Sequence, residues 1–329
     1  MKKSNLYYLM QFYLKTVCLY AKLKYRKKVF CALKKDCDKK MEEQKYILSN
    51  INTFELKDIF DCGQCFRWNK EQDGSYTGVV GNNVINVDKK AGNVIFTGIC
   101  KDGNIQEICT NYFDLNRDYE KIKLELSKID NYMKESIEYG KGIRILNQDL
   151  WETIISFIIS ANNNIPRIKG IIERMSQRYG KKITYKEKEY YTFPTVEELS
   201  QASVQDLRNL GLGFRDIRIY ETTHMILDGK VSLEELQNEK DFNKVRETLL
   251  ALSGVGPKVA DCILLFSTLK RWEAFPIDVW VRRVMNELYI KNEDETKVNK
   301  KQIEKIAQEK FGNLAGIAQQ YLFYWKREA

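Results

Sequence analysis

Histidine and proline are nearly absent from this chain of 329 residues, which holds one of the first, His224, and four of the second. Scarce proline beside 12% aromatic residues argues against extensive disorder, because such a composition can bury apolar surface. A lone histidine and a single Cys-x-x-Cys pair, Cys62 and Cys65, leave a four-ligand zinc site without its second half. No apolar run approaches the roughly 18–20 residues that cross a bilayer, so no membrane partner is implied. Basic charge is also missing where the formal net of +9 suggests it. Residues 1–40 carry twelve Lys/Arg against two Asp/Glu, whereas residues 41–329 carry 42 against 43. A nucleic-acid site in that near-neutral body has to come from local arrangement.

The leader "NLYYLMQFYLKTVCLYAKLKYRKKVF" is aromatic and cationic, with no turn chemistry and no A-x-A-like cleavage signal. It fits the signal-peptide template poorly. A basic tail for DNA or a membrane surface is a second reading. The reading we favour takes Met41, opening "MEEQKYILSN", as the natural start, with residues 1–40 outside the fold. Three of the eight cysteines lie in that leader. Cys62 and Cys65 run into Phe66-Arg67-Trp68 and the turn "NKEQDGS", whereas a thioredoxin-like role would want a strand–CxxC–helix context. Both read as packing residues in a reducing cytosol.

With 43% hydrophobic and 30% charged residues, the chain has the size for about two or three domains. "SYTGVV", "NNVINV" and "GNVIFTG" are short β-rich runs between turn signals, as in an antiparallel meander over 44–100. From about residue 106 the pattern turns helical. Asp149 with Glu152 three residues on has the signature of a capping box before "LWETIISFIIS". Further amphipathic segments follow, each stopped by a glycine turn, among them "NNNIPRIKGIIERMSQRYG" and "DFNKVRETLLALSGVG". The expected architecture is α+β. A small antiparallel β domain, residues 41–141, packs on an all-helical domain, residues 142–329.

The stretch "LSGVGPKVADCILLF" raises the chemical question. It reads as a helix–hairpin–helix in which Gly254 and Gly256 let the turn tighten and bring backbone N–H groups to the surface. Such groups bind a phosphate without net positive charge, although an ordinary αα-hairpin has the same look. Pro257 suits a first helical position, which puts Lys258 in the first turn, where the helix dipole opposes an ammonium. Burial there would add desolvation, and an uncharged lysine is a nucleophile able to form Schiff bases. The bland alternative is a lysine whose head simply snorkels to water. Asp278, twenty residues on in "FPIDVWVRR", is a good N-cap. A carboxylate held at a helix start can also stabilise positive charge developing on a sugar.

"LSGVGPKVAD" followed by "PID" resembles the helix–hairpin–helix–Gly/Pro–Asp superfamily of DNA glycosylases, and within it the 8-oxoguanine DNA glycosylase/AP lyase family. The resemblance covers roughly residues 44–325 and implies a TBP-like N-terminal sheet on a helical glycosylase domain. It also implies Lys258 as nucleophile and Asp278 as its electrostatic partner. "GQCFRW" implies Gly63 as the carbonyl that accepts the N7–H of oxidised guanine, and "AGIAQQYLF" implies Gln319 for the Watson–Crick edge and Phe323 for stacking. "NNNIPR" implies Asn162 filling the vacated stack and Arg167 reading the partner cytosine; "LGLGFR" implies Phe214 as wedge and Arg215 as second reader. Cys262, four residues past Lys258, can lie against the same base. Two departures stand out: Trp280 where a phosphate-contacting histidine is usual, and Lys326 where an aspartate is usual, the lysine offering a cation instead. Cys262 is the last cysteine, so the C-terminal iron–sulfur cluster of some relatives has no ligands.

The expected enzyme is a monomeric bifunctional glycosylase acting on double-stranded DNA, excising 8-oxoguanine opposite cytosine, and formamidopyrimidine-guanine as a second substrate. It needs no cofactor and no metal, and would work in the cytoplasm, at the nucleoid of a prokaryote. A non-catalytic DNA-binding module would lack the Lys258/Asp278 pair. A glycosylase for alkylated or mismatched bases would not want Gly63 and Cys262, and a redox protein would rest on Cys62 and Cys65 alone.

Overall fold

Apolar residues alternate along the runs between Gln44 and Ile99, and the structure turns that alternation into a sheet. It is a computed structural model and describes residues 42–49, 51, 53–294 and 297–328. The readings of residues 1–40 and of Met41 as a start lie outside the described residues. Strands β1 (Gln44–Leu48), β2 (Trp68–Lys70), β3 (Tyr76–Val80), β4 (Asn83–Lys90) and β5 (Asn93–Ile99) pair antiparallel in the order β1-β5-β4-β3-β2. The β4–β5 hairpin turns on Ala91 and Gly92, with φ of 50° and 78°. Two positive φ values suit the right-handed twist of the flanking strands. One face buries Ile85, Val87, Val94 and Phe96 against Phe54, Phe60, Trp68 and Phe113. Trp68 lies flat on Gly78, where an added Cβ would stand 2.4 Å from the indole.

The other face of the sheet is covered by a hairpin that periodicity does not announce, β6 (Lys182–Tyr185) and β7 (Lys188–Tyr191). Ile183 and Tyr185 pack on Val79, Val84 and Ile99. Its turn is Lys186-Glu187, both in the left-handed region at φ 46° and 64°. Neither residue type is a turn marker, so the hairpin depends on burial of Ile183 and Tyr185 on the sheet and on polar ties such as Lys188 to Glu71. Among the described residues, no helix is long and apolar enough to cross a membrane.

The helical part is built around two apolar rods. Helix α1 (Leu150–Ser160) is buried from Leu150 to Ile159 except at Glu152, and the Phe157 and Phe266 rings stack at 5.6 Å. Helix α2 (Ile165–Tyr179) ends at Gly180. That glycine is required by crowding, not by φ, since a Cβ would come within 2.0 Å of the Thr192 carbonyl. Helices α3 (Phe242–Leu250) and α4 (Pro257–Phe266) form the helix–hairpin–helix, and every residue of α4 from Val259 to Phe266 is buried. Helix α5 (Val279–Met285) starts at Asp278, and α6 (Ala315–Glu328) closes the domain. Glutamines stitch the sheet to this bundle. Gln64 Nε2 donates to the carbonyls of Ile59 and Arg144 at 2.9 and 2.7 Å, and Gln148 Nε2 donates to those of Gln64 and Phe266 at 2.7 and 3.1 Å.

A buried carboxylate inside an apolar helix needs a partner. Asp261 on α4 has one in Arg246 on α3, whose Nε and Nη2 donate to its two oxygens at 2.7 and 3.2 Å. Burial still pushes the carboxyl up, with Arg246 pulling it back. Removing one partner of such a pair strands the other charge, at a cost of roughly 3–5 kcal/mol. Arg246→Ala should therefore lower the urea midpoint steeply, while Arg246→Lys loses less. An unchanged midpoint in the alanine variant would show that the pair does not hold the two helices.

Candidate active site

The hairpin between α3 and α4 puts two glycines to different uses. Gly254 has φ +82°, and a Cβ on it would meet the Arg218 side chain at 2.9 Å. At Gly256 a Cβ would meet nothing within 4 Å, although Gly256 caps α4 without a side chain. Gly254 is thus needed by the protein itself, whereas the bare backbone at Gly256 faces outward. Pro257 takes the first helical position and Lys258 the next, as the sequence suggests.

Lys258 is half-buried and does not trail into solvent. Its Nζ stands 5.5 Å from the centre of the Phe157 ring. It also hydrogen-bonds the thiol of Cys262, one turn along α4, and the Asp278 charge acts on that same thiol. Burial pushes the Cys262 pKa up to about 11, with Lys258 pulling it back and Asp278 adding to the rise. Cys262 is therefore a neutral, polarizable wall at neutral pH. Asp278 Oδ1 accepts the Val281 N–H at 2.8 Å, which locks the carboxylate across the start of α5. A second oxygen is left for other work.

Val281, whose N–H holds Asp278, lines a small apolar pocket together with Phe275, Met285, Gln319, Leu322 and Phe323, with room for about one water molecule. Gln319 is 5% exposed, and its Oε1 is buried with no hydrogen-bond partner. An orphaned acceptor in an apolar wall costs about 1–3 kcal/mol unless something donates to it. Gly63 sits in a turn at φ +88°. Gln64 anchors that turn on the carbonyls named above, and Gln320 Nε2 donates to the Cys62 carbonyl at 3.3 Å.

On the surface around the second loop, the three asparagines divide their labour. Asn162 is exposed in the left-handed region at φ 51°, Asn163 Nδ2 donates to the Ile159 carbonyl at 3.1 Å, and Asn164 caps α2. Arg167 is exposed and reaches the Gly211 carbonyl at 3.3 Å. Phe214 projects with 63% of its surface exposed. Arg215 behaves differently from a base reader. It is buried, its guanidinium lies 4.3 Å from the Phe214 ring centre, and it donates to the carbonyls of Ala161, Asn162 and Leu212. Burial and the charge of Arg167 lower its pKa, so the two guanidinium groups stand close together. Trp280 is exposed on α5, 5.2 Å from the Arg283 guanidinium.

Residues 46–154 match the 8-oxoguanine DNA glycosylase N-terminal domain, and residues 155–312 match the HhH-GPD superfamily of base excision DNA repair proteins. An N-glycosylase/DNA lyase of Saccharomyces cerevisiae is 32% identical over 260 residues, 71% of this chain and 68% of that protein. The chain belongs to the 8-oxoguanine DNA glycosylase family. A Clostridium acetobutylicum 8-oxoguanine glycosylase/lyase, solved with double-stranded DNA containing cytosine opposite 8-oxoguanine, superposes at a TM-score of 0.81 with 45% identity. The match covers 88% of this chain and 97% of that one. A 3-methyladenine glycosylase from Archaeoglobus fulgidus shares the fold at a TM-score of 0.70 and 19% identity, over 86% of this chain and 99% of that one. The fold alone therefore does not choose the base.

Several residues of this glycosylase escape sequence reasoning. Phe157 under the lysine, Gln148 at the seam and Arg246 behind the hairpin carry no motif, and Gln320 lies unremarked inside "AGIAQQYLF". Gln64 lies inside a quoted motif and could have been found there. Lys326 corrects one expectation: it is not held ready for a phosphate, since its Nζ donates to Glu287 Oε1 at 2.6 Å and packs over Trp325.

The capping box at Asp149 is only half made. Asp149 accepts the Glu152 N–H at 2.8 Å, but the Glu152 side chain turns inward to Arg67 at 3.7 Å. Burial pushes the Glu152 pKa up from 4.5 to about 7, more than Arg67 and despite it. A carboxyl raised on folding stabilises most below its unfolded pKa, and that contribution is lost as pH rises through its folded value. Between about pH 5 and 8 the wild type should lose on the order of 3 kcal/mol relative to Glu152→Gln. Urea midpoints of both proteins at the two pH values measure this; an equal gap at both would remove Glu152 as the cause.

Proposed function

We propose that this glycosylase excises 8-oxoguanine opposite cytosine from duplex DNA, and formamidopyrimidine-guanine as a second lesion, then cleaves the strand at the abasic site. The observations that support the catalytic half are a half-buried Lys258 at the second position of α4, its Nζ 5.5 Å from the centre of the Phe157 ring, and an Asp278 carboxylate fixed across the start of α5. The Lys258 amine attacks C1′, and the N-glycosidic bond breaks with its electron pair going to the departing base, which takes up a proton. Asp278 faces the positive charge that builds on the sugar. The lysine nitrogen then gives up its protons as the C1′–O4′ bond breaks, with the electron pair and a proton going to O4′, and an imine is left. The imine draws electrons from C2′, which loses a proton, and the C3′–O bond breaks by β-elimination, its electron pair leaving with the 3′ phosphate. Gly256 and the bare N–H groups around it supply a phosphate seat that needs no cationic surface.

The base-recognition half rests on Gln319. Its orphaned Oε1 is an acceptor, and guanine's Watson–Crick edge offers N1–H and N2–H donors to such an atom. Phe323 supplies a stacking face on the same helix, Cys262 the opposite wall, and the Gly63 carbonyl accepts the N7–H that only the oxidised base carries. Residues 41–141 thus contribute Gly63, and residues 142–329 contribute the rest. Opposite the lesion, Arg167 is the exposed cytosine reader, Asn162 fills the vacated stack and Phe214 wedges the strand. Arg215 braces their loop through its carbonyl bonds, and Trp280 lies against the backbone. The protein works as a monomer on the chromosome, at the nucleoid of a prokaryote.

Borohydride reduction should trap a covalent protein–DNA adduct on an 8-oxoguanine:cytosine duplex, and Lys258→Gln should abolish it. An undiminished adduct in that variant would take the lysine out of the chemistry. Arg167→Ala should lower the preference for cytosine over adenine opposite the lesion on the order of tenfold. Equal preference in both proteins, by single-turnover rates on the two duplexes, would move that role elsewhere.

A further inference from the structure

Three consecutive carbonyls in the loop that carries Phe214 are each taken by a different arginine. Arg174 Nε donates to Leu210 at 2.9 Å, Arg167 Nη2 to Gly211 at 3.3 Å and Arg215 Nη1 to Leu212 at 3.2 Å. Arg215 belongs to the loop and ties it to the turn before α2, through the carbonyls of Ala161 and Asn162. Arg167 and Arg174 stand on α2 itself, seven residues apart. Seven residues are two helical turns, so both arginines share one face and the loop lies along it.

Arg174 is exposed, yet its guanidinium is slotted between two glycines. A Cβ on Gly170, inside α2, would stand 3.2 Å from its Nη1, and a Cβ on Gly211, in the loop, 2.9 Å from its Nη2. Gly211 has φ +92° and is needed for its backbone alone. Gly170 is not, and alanine would suit the middle of a helix better, so the room it leaves for the guanidinium is its physical reason. Arg167 is the proposed reader of the partner cytosine, and Arg215 is occupied at the turn before α2. Arg174 holds the loop from about 10 Å further along the helix axis than Arg167. A firm hold matters, because unstacking a base step pushes back on whatever is inserted. A wedge on a yielding loop deforms the loop and leaves the duplex closed.

We propose that Arg174 is a positioning residue for strand opening. It pins the wedge loop, residues 210–215, to α2, so that Phe214 opens the duplex from a fixed mount. What it contributes is the Nε–H on the Leu210 carbonyl, not its positive charge. A glutamine carries its amide nitrogen at the same side-chain position as the arginine Nε, so Arg174→Gln keeps a donor there and drops the charge.

This role rests on the proposed excision of 8-oxoguanine with Phe214 as wedge, and the experiment separates the two. Single-turnover excision is measured on 8-oxoguanine opposite cytosine and opposite a tetrahydrofuran abasic analogue, where no base pair has to be opened. The proteins are the wild type, Arg174→Ala, Arg174→Gln, Phe214→Ala and the double alanine variant. Loss of the hydrogen bond predicts Arg174→Ala about tenfold slower opposite cytosine and within about threefold of the wild type opposite the analogue. Arg174→Gln should stay within about threefold on both duplexes, and the double variant should be no more than about twofold slower than Phe214→Ala. A wild type that releases no 8-oxoguanine from either duplex would refute the proposed excision itself. With an active wild type, four results overturn the role of Arg174. They are an alanine variant as fast as the wild type, equal loss on both duplexes, a glutamine variant as slow as alanine, which would make the residue a phosphate contact, and full additivity with Phe214→Ala.

Discussion

The two helices of the hairpin are held in register by one ion pair, Arg246 with Asp261. Helix α4 is buried along almost its whole length, so its apolar residues alone would tolerate sliding and rotation against α3. A carboxylate set among them, held by both arms of a guanidinium, leaves one arrangement in which no charge is stranded. Everything at the mouth of α4 inherits that rigidity. Lys258 is fixed at the second helical position, Cys262 one turn below it, and the glycine hairpin ahead of it. A nucleophile that must meet a single carbon needs such a mounting.

The near-neutral charge of residues 41–329 becomes intelligible beside this geometry. The proposed phosphate seat is backbone N–H groups at the hairpin, and the exposed Trp280 ring stands beside a cation, Arg283. Arg167 and Arg215 concentrate two guanidinium groups beneath an exposed phenylalanine. On the proposed reading, local placement substitutes for a basic surface.

Much of the site was legible in the sequence because its parts are short segments with their own stereochemistry. Gly254 needs a positive φ, Pro257 opens a helix, and Asp278 caps one; each follows from the residue and its neighbours. Gln319 and Phe323 share a helix face by spacing alone. Other parts escaped because their reasons are nonlocal. Arg215 reads from sequence as a second outward arginine, yet the carbonyls of Ala161 and Asn162 claim it. Lys326 sits beside Glu287 only because α6 packs on α5 and the turn that follows it. The β6–β7 hairpin exists because Ile183 and Tyr185 find a sheet face to bury on.

By itself the sequence determined the local order of parts: a meander of strands, then capped helices, then a glycine hairpin with a lysine after its proline and an aspartate before the next helix. These depend on backbone sterics and on hydrogen bonds within a few residues. Only the tertiary structure decided that Lys258 lies over the Phe157 ring, that Gln319 is left with an unanswered acceptor, and that Arg327 reaches the Gly63 turn from the far end of the chain. Those are contacts across tens or hundreds of residues. They are set by how the apolar faces close on one another, which no local spacing encodes.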